Sequence, residues 1–139
     1  MFYELEPEVA GGFGDEAELD NSVHPPKVNN LHIVLDGWLG DSLLECFPVY
    51  LVTQELKSEI ESESLTGCNF ESAKITTSDQ FRELYPDRDI PEFIWLKVKG
   101  VAGRDDFGIS SENSLVISKK VMNLSELKIE NCDSEPYSI

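Results

Sequence analysis

The segment EFIWLKVKG, residues 92–100, constrains the fold of this chain more than any other stretch. It is rich in β-branched and aromatic residues, which is the composition typical of a β-strand. LHIVL at 31–35 and LVIS at 115–118 have the same character. A further strand is expected over residues 47–52, where Pro48 favours an edge position or the first residues of the strand. The sequence therefore predicts a sheet as the main element of the fold.

Two helices are indicated between these strands. Thr53 has the side chain of an N-cap for a helix reaching about Ser64, with Leu56 and Ile60 four residues apart on one face. Thr77 begins a second helix, because a glutamine three residues later completes the spacing of a capping box. Pro86 ends that helix. Its proposed apolar face consists of Phe81, Leu84 and Tyr85.

The rest of the chain gives weaker signals, and residues 1–30 are read as a loop-rich acidic segment in which three prolines prevent a continuous helix. The remaining expected elements are an opening strand at 1–5, a strand within CNFESAKIT (68–76), a hairpin or loop over 105–114, a short helix at 118–124 and a last strand at LKIENC (127–132). This mixed order predicts an α+β fold with a mixed or largely antiparallel sheet and two or three short helices. At 139 residues without an internal repeat, one domain over 1–139 is expected.

The charge is strongly negative and unevenly distributed. The chain has 27 acidic and 11 basic residues, for a net charge of −16. Residues 1–70 contain 14 acidic and two basic residues, whereas residues 71–139 contain 13 and nine. Such a field repels nucleic acid and anionic membranes and attracts basic partners, while plain solubility is the alternative explanation.

Three cysteines, Cys46, Cys68 and Cys132, are odd in number and widely spaced. They predict reduced thiols and not a disulfide framework or a zinc ribbon. The N-terminus lacks a basic region and an apolar run of signal-peptide length, and no segment has the roughly 18 apolar residues of a membrane helix. We therefore expect a cytoplasmic protein.

The segment VAGGFGDEAELD, residues 9–20, combines three glycines with four carboxylates. It fits neither the dinucleotide-binding nor the P-loop pattern, and its carboxylates would repel a phosphate. Calcium is an alternative ligand, but the acids lack the register of an EF-hand loop. A solvated acidic loop is the simplest interpretation.

Motifs that carry chemistry are missing from the sequence. His24 lies beside two prolines and His32 within an expected strand, and they have no paired ligand spacing. There is neither a nucleophile elbow nor a zinc-protease motif, and acids are too abundant for a catalytic pair to be singled out. The sequence predicts a protein that is not an enzyme and binds no cofactor or metal.

The two tryptophans have different settings. Trp95 lies in the strongest strand, which favours a place in the core. Trp38 lies in a turn between Asp36 and Asp41, where it either anchors a partner or folds back to cap the core.

Three segments of the chain resemble bacterial immunity proteins of polymorphic-toxin and contact-dependent inhibition systems. They are residues 31–56, FIWLKVKGVAGRDDFGIS at 93–110 and LVIS at 115–118, with a G-D-D-F-G-like turn that Arg104 interrupts here. The resemblance covers roughly residues 31–121. It implies a cytoplasmic single-domain protein that binds a cognate toxin domain and blocks it, and it carries no catalytic residues.

The charge agrees with what the resemblance implies, because toxin domains that attack nucleic acid are commonly basic. We therefore expect an acidic surface that binds a basic, nuclease-type toxin, with no nucleic-acid or membrane partner and a monomeric free state. A cation- or small-ligand-binding domain built on the acidic loops is the alternative. The candidate toxin-binding residues are Phe13, Asp15, Glu16, Glu18, Asp20, Asp36, Trp38, Asp41, Asp105, Asp106 and Phe107.

Overall fold

The computed structural model describes residues 1–138, which contain thirteen short strands and three short helices. The strands are β1 (Phe2–Glu6), β2 (Gly11–Phe13), β3 (Glu18–Asp20), β4 (Lys27–Asn30), β5 (His32–Leu35), β6 (Leu43–Cys46), β7 (Val49–Thr53), β8 (Cys68–Glu71), β9 (Lys74–Thr77), β10 (Phe93–Val98), β11 (Phe107–Ile109), β12 (Leu115–Ser118) and β13 (Asp133–Tyr137). The helices are α1 (Gln54–Ser62), α2 (Asp79–Leu84) and α3 (Lys119–Met122). The predicted α+β fold is confirmed, with the strands divided among several mostly antiparallel sheets.

The central sheet has the strand order β6-β7-β10-β8 and buries both of its faces. Successive side chains of a strand point to opposite faces, so β10 contributes to two cores. Ile94, Leu96 and Val98 belong to one core, and Phe93 and Trp95 belong to the other. The strongest strand of the sequence is therefore the strand that the two cores share.

The first core lies between the central sheet, α1 and a second antiparallel sheet of order β11-β12-β1-β13. Leu5 of β1 packs there with Leu115 and Ile117 of β12. Phe2, Glu4 and Glu6 occupy the alternate positions of β1 and face away from this core. This sheet also brings the two ends of the chain together, because β13 pairs with β1.

The second core lies between the central sheet and a three-stranded sheet of order β2-β5-β9. In this sheet β5 pairs antiparallel with β2 and parallel with β9. Gly11 permits the first pairing, since a Cβ atom at this position would lie 2.0 Å from the carbonyl oxygen of Val34. Gly11 thus serves strand packing in this segment.

Side-chain caps begin the helices. The Thr53 hydroxyl accepts a hydrogen bond from the Leu56 amide at 3.2 Å, as the sequence predicts, and Leu56 and Ile60 are buried. The second helix begins one residue later than predicted, because Ser78 and not Thr77 accepts from the Phe81 amide, at 3.1 Å. On its proposed apolar face only Phe81 is buried, whereas Leu84 and Tyr85 are exposed.

Two sequence-based expectations, one near each end of the chain, are wrong. The opening strand is confirmed as β1, but residues 1–30 contain three further strands, including the β3–β4 hairpin, where the sequence predicts a loop-rich acidic segment. The segment 127–132 forms turns, and the last strand is β13, which starts at residue 133. The strand expected within CNFESAKIT is confirmed, since this segment contains β8 and the first three residues of β9, which join different sheets. Each error arises because pairing partners distant in sequence decide whether a short polar segment becomes a strand.

Along residues 1–138, no helix has the length and apolar character required to cross a membrane.

Because the central sheet is buried on both faces, truncating a core side chain on either face should destabilise the chain to a similar extent. Leu96→Ala and Leu51→Ala truncate side chains that are 1% exposed in the first and second core, respectively. We expect each to lower the free energy of unfolding by about 2–5 kcal/mol in urea denaturation. The control Leu84→Ala, at a 59% exposed position, should change it by less than about 0.5 kcal/mol. A loss below about 1 kcal/mol for either core variant would contradict a shared, doubly buried sheet.

Candidate functional site

The carboxylates of residues 15–20 are only partly available to a partner. Glu16 forms an ion pair with Lys74, and its amide donates to Nδ1 of His32 at 3.2 Å. Asp20 accepts hydrogen bonds from the Ser22 side chain and amide, which hold the pKa of Asp20 below its ordinary value. Asp15 and Glu18 are exposed. Nearby, Phe13 is half-buried in β2 and packs against the second core.

The turn after β5 holds its tryptophan inward. Nε1 of Trp38 donates to the Asp41 carbonyl at 2.8 Å, and its ring meets that of Phe93 edge-on at a centroid distance of 6.0 Å. Of the two predictions for Trp38, the structure therefore favours a cap on the second core. Asp36 is exposed, but Asp41 is only 1% exposed.

Asp41 is therefore wrong as a toxin-binding residue. Its carboxylate accepts from the amide and the side chain of Asn131, each at 2.9 Å. These hydrogen bonds hold the segment before β13 against the turn before β6. A buried carboxylate with such partners stabilises the fold and is not available to a partner protein.

The Asp105–Phe107 turn is also structural. Phe107 is 2% exposed and belongs to the first core, so its prediction as a binding anchor is wrong. Asp106 accepts from the Thr66 amide at 2.9 Å and from the Ser118 hydroxyl at 2.7 Å. Burial alone would raise the pKa of Asp106, but these hydrogen bonds hold it below its ordinary value. Asp105 accepts from the Val101 amide at 2.7 Å.

His32 is held in the fold by hydrogen bonds to both ring nitrogens, and His24 is exposed. Nε2 of His32 lies 2.9 Å from the Thr76 hydroxyl while Nδ1 accepts from the Glu16 amide, so both ring nitrogens are used. A Cβ atom on Gly14 would lie 2.3 Å from the His32 ring, so a larger residue at position 14 would displace the histidine. His24 is exposed, with its ring 6.1 Å from that of Phe47.

A more concentrated set of carboxylates lines an open depression of about 540 Å³ beside the end of β1. These are Glu6, Glu8, Glu45 and Asp133, and no lysine, arginine or histidine is among the lining residues. We call this cavity the acidic depression. Its complete lining is Leu5, Glu6, Pro7, Glu8, Val9, Leu39, Glu45, Ser114, Asn131 and Asp133.

Two pairs of like charges adjoin the acidic depression. In the β1–β13 pairing, Glu4 lies directly opposite Glu135, and Glu6 lies directly opposite Asp133. We call these four residues the acid ladder. Within residues 1–138 none of the four forms an ion pair, and together with Ser134 they line a second cavity of about 240 Å³. Directly opposed like charges destabilise a sheet, so this arrangement is unfavourable for the isolated protein.

Two carboxyl groups in the depression are partly withdrawn from water. Glu8 is 5% exposed and accepts from the Leu39 amide at 2.7 Å and from the Asp41 amide at 3.4 Å. Burial raises the pKa of Glu8, although these backbone bonds oppose the shift. Burial also raises the pKa of Glu45, the charge of Glu6 adds to this, and the Tyr50 hydroxyl opposes it. A nearby cation would favour the charged form of both groups.

The acidic depression was not among the sequence predictions. The alternation of acids at positions 4, 6 and 8 is a signal in the sequence for one charged face of a strand. Asp133 and Glu135, the second half of the acid ladder, have the same spacing, but their place beside β1 depends on strand pairing between residues far apart in the sequence. The predicted residues instead lie at several separate places, and among them Asp15, Glu16, Glu18 and Asp36 are exposed.

Over the described residues, no group of three or more His, Cys, Asp and Glu side chains is placed to hold a metal ion. The three cysteines are free and half-buried. Burial raises the pKa of both Cys68 and Cys132 to about 11, so these thiols are protonated at neutral pH.

No protein-family model matches this sequence, and neither a curated protein nor a solved structure matches the chain. The resemblance to immunity proteins therefore stays a prediction, and the functional argument depends on the chain's own surface.

Relief of the acid ladder should stabilise the free protein. The double variant Glu6→Gln/Asp133→Asn removes one directly opposed pair of charges, and we expect the free energy of unfolding to rise by roughly 0.2–1 kcal/mol. The gain should be largest at about 0.01 M salt and shrink towards about 1 M, where charges are screened within about 3 Å. Urea denaturation at both salt concentrations measures it.

The matched control removes the same number of charges from positions without an opposed acid. Asp15 is exposed, and Glu18 lies opposite Asn30. Asp15→Asn/Glu18→Gln should therefore stabilise the chain less than the ladder variant does. Equal gains from the two variants would mean that total charge, and not the ladder, is responsible.

Because the pKa of Glu45 is raised, the effect of its substitution on the free energy of unfolding should depend on pH. The folded chain binds this proton more tightly than the unfolded chain does, so the stabilisation is complete below the ordinary pKa of 4.5 and is lost as the pH rises through the folded pKa. Glu45→Gln should thus be more stable than the parent at about pH 7, with the difference shrinking towards about pH 4. Urea denaturation across this pH range tests the sign.

Glu59 provides a control of opposite sign. The Glu126 amide and the Ser125 hydroxyl donate to its carboxylate at 2.8 Å each and hold its pKa below the ordinary value. Its stabilisation is present above the ordinary carboxyl pKa and is lost on acidification, so Glu59→Gln should destabilise the chain at neutral pH. If Glu45→Gln behaved in the same way as Glu59→Gln, the burial argument for Glu45 would be wrong.

Proposed function

We propose that this chain is an immunity protein that binds a cognate bacterial toxin domain and neutralises it. The observation that supports this proposal most is the acidic depression with its acid ladder. There, the exposed carboxylates of Glu6 and Asp133 and the half-buried Glu45 lie beside the buried Glu8 on a concave surface that no basic side chain lines. An arrangement that is unfavourable in isolation becomes favourable when a cationic surface covers it.

The charge of the whole chain supports the same partner class. The described residues form four ion pairs, against 27 acidic residues in the sequence, so most of the negative charge is not neutralised internally. A nuclease-type toxin must bind phosphates with lysine and arginine side chains, and its substrate surface is therefore basic. Opposite fields of this kind accelerate association by about 10- to 1,000-fold.

In this proposal, binding of the toxin's basic surface at the acidic depression is what neutralises the toxin. Lysine or arginine side chains of the toxin would enter the acidic depression and lie against the acid ladder, where Glu6 and Asp133 belong to both cavities. The carboxylates would replace the phosphates of the toxin's substrate, and the toxin's basic surface would no longer bind nucleic acid. In this proposal the immunity protein acts as a cytoplasmic monomer and performs no chemical step of its own.

The proposal predicts protection in cells. Expression of the toxin domain encoded beside this chain's gene should arrest growth, and co-expression of this chain should restore growth and yield a co-purified pair. Co-expression at adequate protein level that neither restores growth nor yields the pair would contradict the proposal.

Association with that toxin should depend on the ladder charges. Glu6→Gln/Asp133→Asn should slow the association rate by about tenfold at low ionic strength and much less at high ionic strength, measured by stopped-flow mixing. Asp15→Asn/Glu18→Gln removes equal charge elsewhere and should slow association less. If the Asp15/Glu18 variant slowed association more than the ladder variant, the binding face would lie on residues 15–20 and not at the acidic depression.

A further inference from the structure

Two large apolar side chains lie exposed on the lining of the acidic depression, and Arg88 connects a third to the same turn. Val9 is 70% exposed, Leu39 is 69% exposed and Tyr85 is 41% exposed. Val9 and Leu39 both line the depression, and the Glu8 carboxylate, next to Val9, accepts from the Leu39 amide. We call Val9, Leu39 and Tyr85 the apolar stripe. Exposed apolar side chains grouped beside charged residues are typical of protein-binding surfaces.

Arg88 connects the third member of the stripe to the other two. Its guanidinium donates to the Trp38 carbonyl at 2.5 Å and lies 4.7 Å above the centroid of the Tyr85 ring. The Tyr85 ring is therefore held near the peptide bond that joins Trp38 to Leu39. Arg88, itself exposed, thus links the turn at Leu39 to Tyr85, 46 residues later in the chain.

The turn that carries Leu39 is braced from several sides. The Leu39 amide donates to the Glu8 carboxylate, and the Trp38 carbonyl accepts from Arg88. The Trp38 ring nitrogen donates to the Asp41 carbonyl. The next residue, Gly40, has φ +111°, a conformation that favours glycine, so the turn is also fixed by its sequence. A leucine that is 69% exposed on such a rigid support loses little conformational entropy on binding, which is the property of a preorganised contact.

Charge complementarity identifies the occupant. The apolar stripe adjoins Glu6, Glu8, Glu45 and Asp133 in the depression, so a segment that covers both must carry positive charge next to an apolar side chain. We infer that the partner is a basic protein that places an apolar side chain on the apolar stripe and a neighbouring lysine or arginine in the acidic depression. This inference rests on the proposed function and deepens it by locating the toxin contact and its chemistry.

The two parts of this surface have different kinetic roles. Exposed charges accelerate the encounter of two proteins, whereas desolvated apolar contacts slow their dissociation. Substitution in the acid ladder should therefore reduce the association rate, and substitution in the apolar stripe should mainly increase the dissociation rate.

Two synthetic peptides of equal charge test the inference without the toxin. One alternates leucine and lysine, the other alternates serine and lysine, and binding to the whole chain is measured by calorimetry. Leu39→Ser should weaken the leucine–lysine peptide by about tenfold, which corresponds to about 1.4 kcal/mol, and leave the serine–lysine peptide unchanged. Glu6→Gln/Asp133→Asn should weaken both peptides.

Val23→Ser is the control, because Val23 is 50% exposed and does not line the depression. It should leave binding of both peptides unchanged, and urea denaturation should confirm that both serine variants remain folded. Unchanged affinity of the leucine–lysine peptide for Leu39→Ser, or an equal loss for Val23→Ser, would overturn the inference.

The toxin itself separates this inference from the proposed function. If Leu39→Ser still neutralises the neighbouring toxin and dissociates from it no faster than the parent does, the apolar stripe is overturned while the immunity function stands. If the peptides behave as expected but no neighbouring toxin is neutralised, the docking surface is supported and the proposed function fails.

Discussion

The fold depends on the burial of both faces of one antiparallel sheet. Because β10 alternates between two apolar faces, the chain must cover this sheet on both sides, and it does so with a second sheet plus α1 on one side and the β2-β5-β9 sheet on the other. The N-terminal strand β1 is committed to the first of these layers by Leu5, which is 1% exposed. Once Leu5 faces inward, the period of the strand requires Glu4 and Glu6 to face outward. The acidic surface is therefore a consequence of how the core is covered.

Stability and binding make opposite demands on this surface. Opposed carboxylates in the acid ladder, the buried Glu8 and the half-buried Glu45 act against folding, and the apolar cores must offset them. The same groups create a strong local field and provide partners for cations, which is an advantage only in a complex. Natural proteins retain unfavourable features of this kind where function requires them. In our account, basic side chains of the toxin supply the positive charge that balances these carboxylates in the complex.

The sequence predicts those parts of this structure that local chemistry decides. The strand at EFIWLKVKG, the Thr53 cap and the α+β class follow from composition and spacing within a few residues. β13 has the sequence DSEPY, which is polar and contains proline, so only its pairing with β1 makes it a strand. The burial of Asp41 likewise depends on Asn131, 90 residues away. The acidic depression joins such distant segments, and for this reason the residues predicted from the sequence for an acidic binding surface lie at 13–20, 36–41 and 105–107 and not in the depression.

The most direct test of the central claim is a hydrogen–deuterium exchange footprint of the complex with the toxin encoded beside this chain's gene. Our account expects the toxin to slow exchange in β1, in β13 and in the turn at Leu39, where the acid ladder, the depression and the apolar stripe meet. Slowed exchange confined to residues 15–20, or to the turn at residues 105–107, would contradict it.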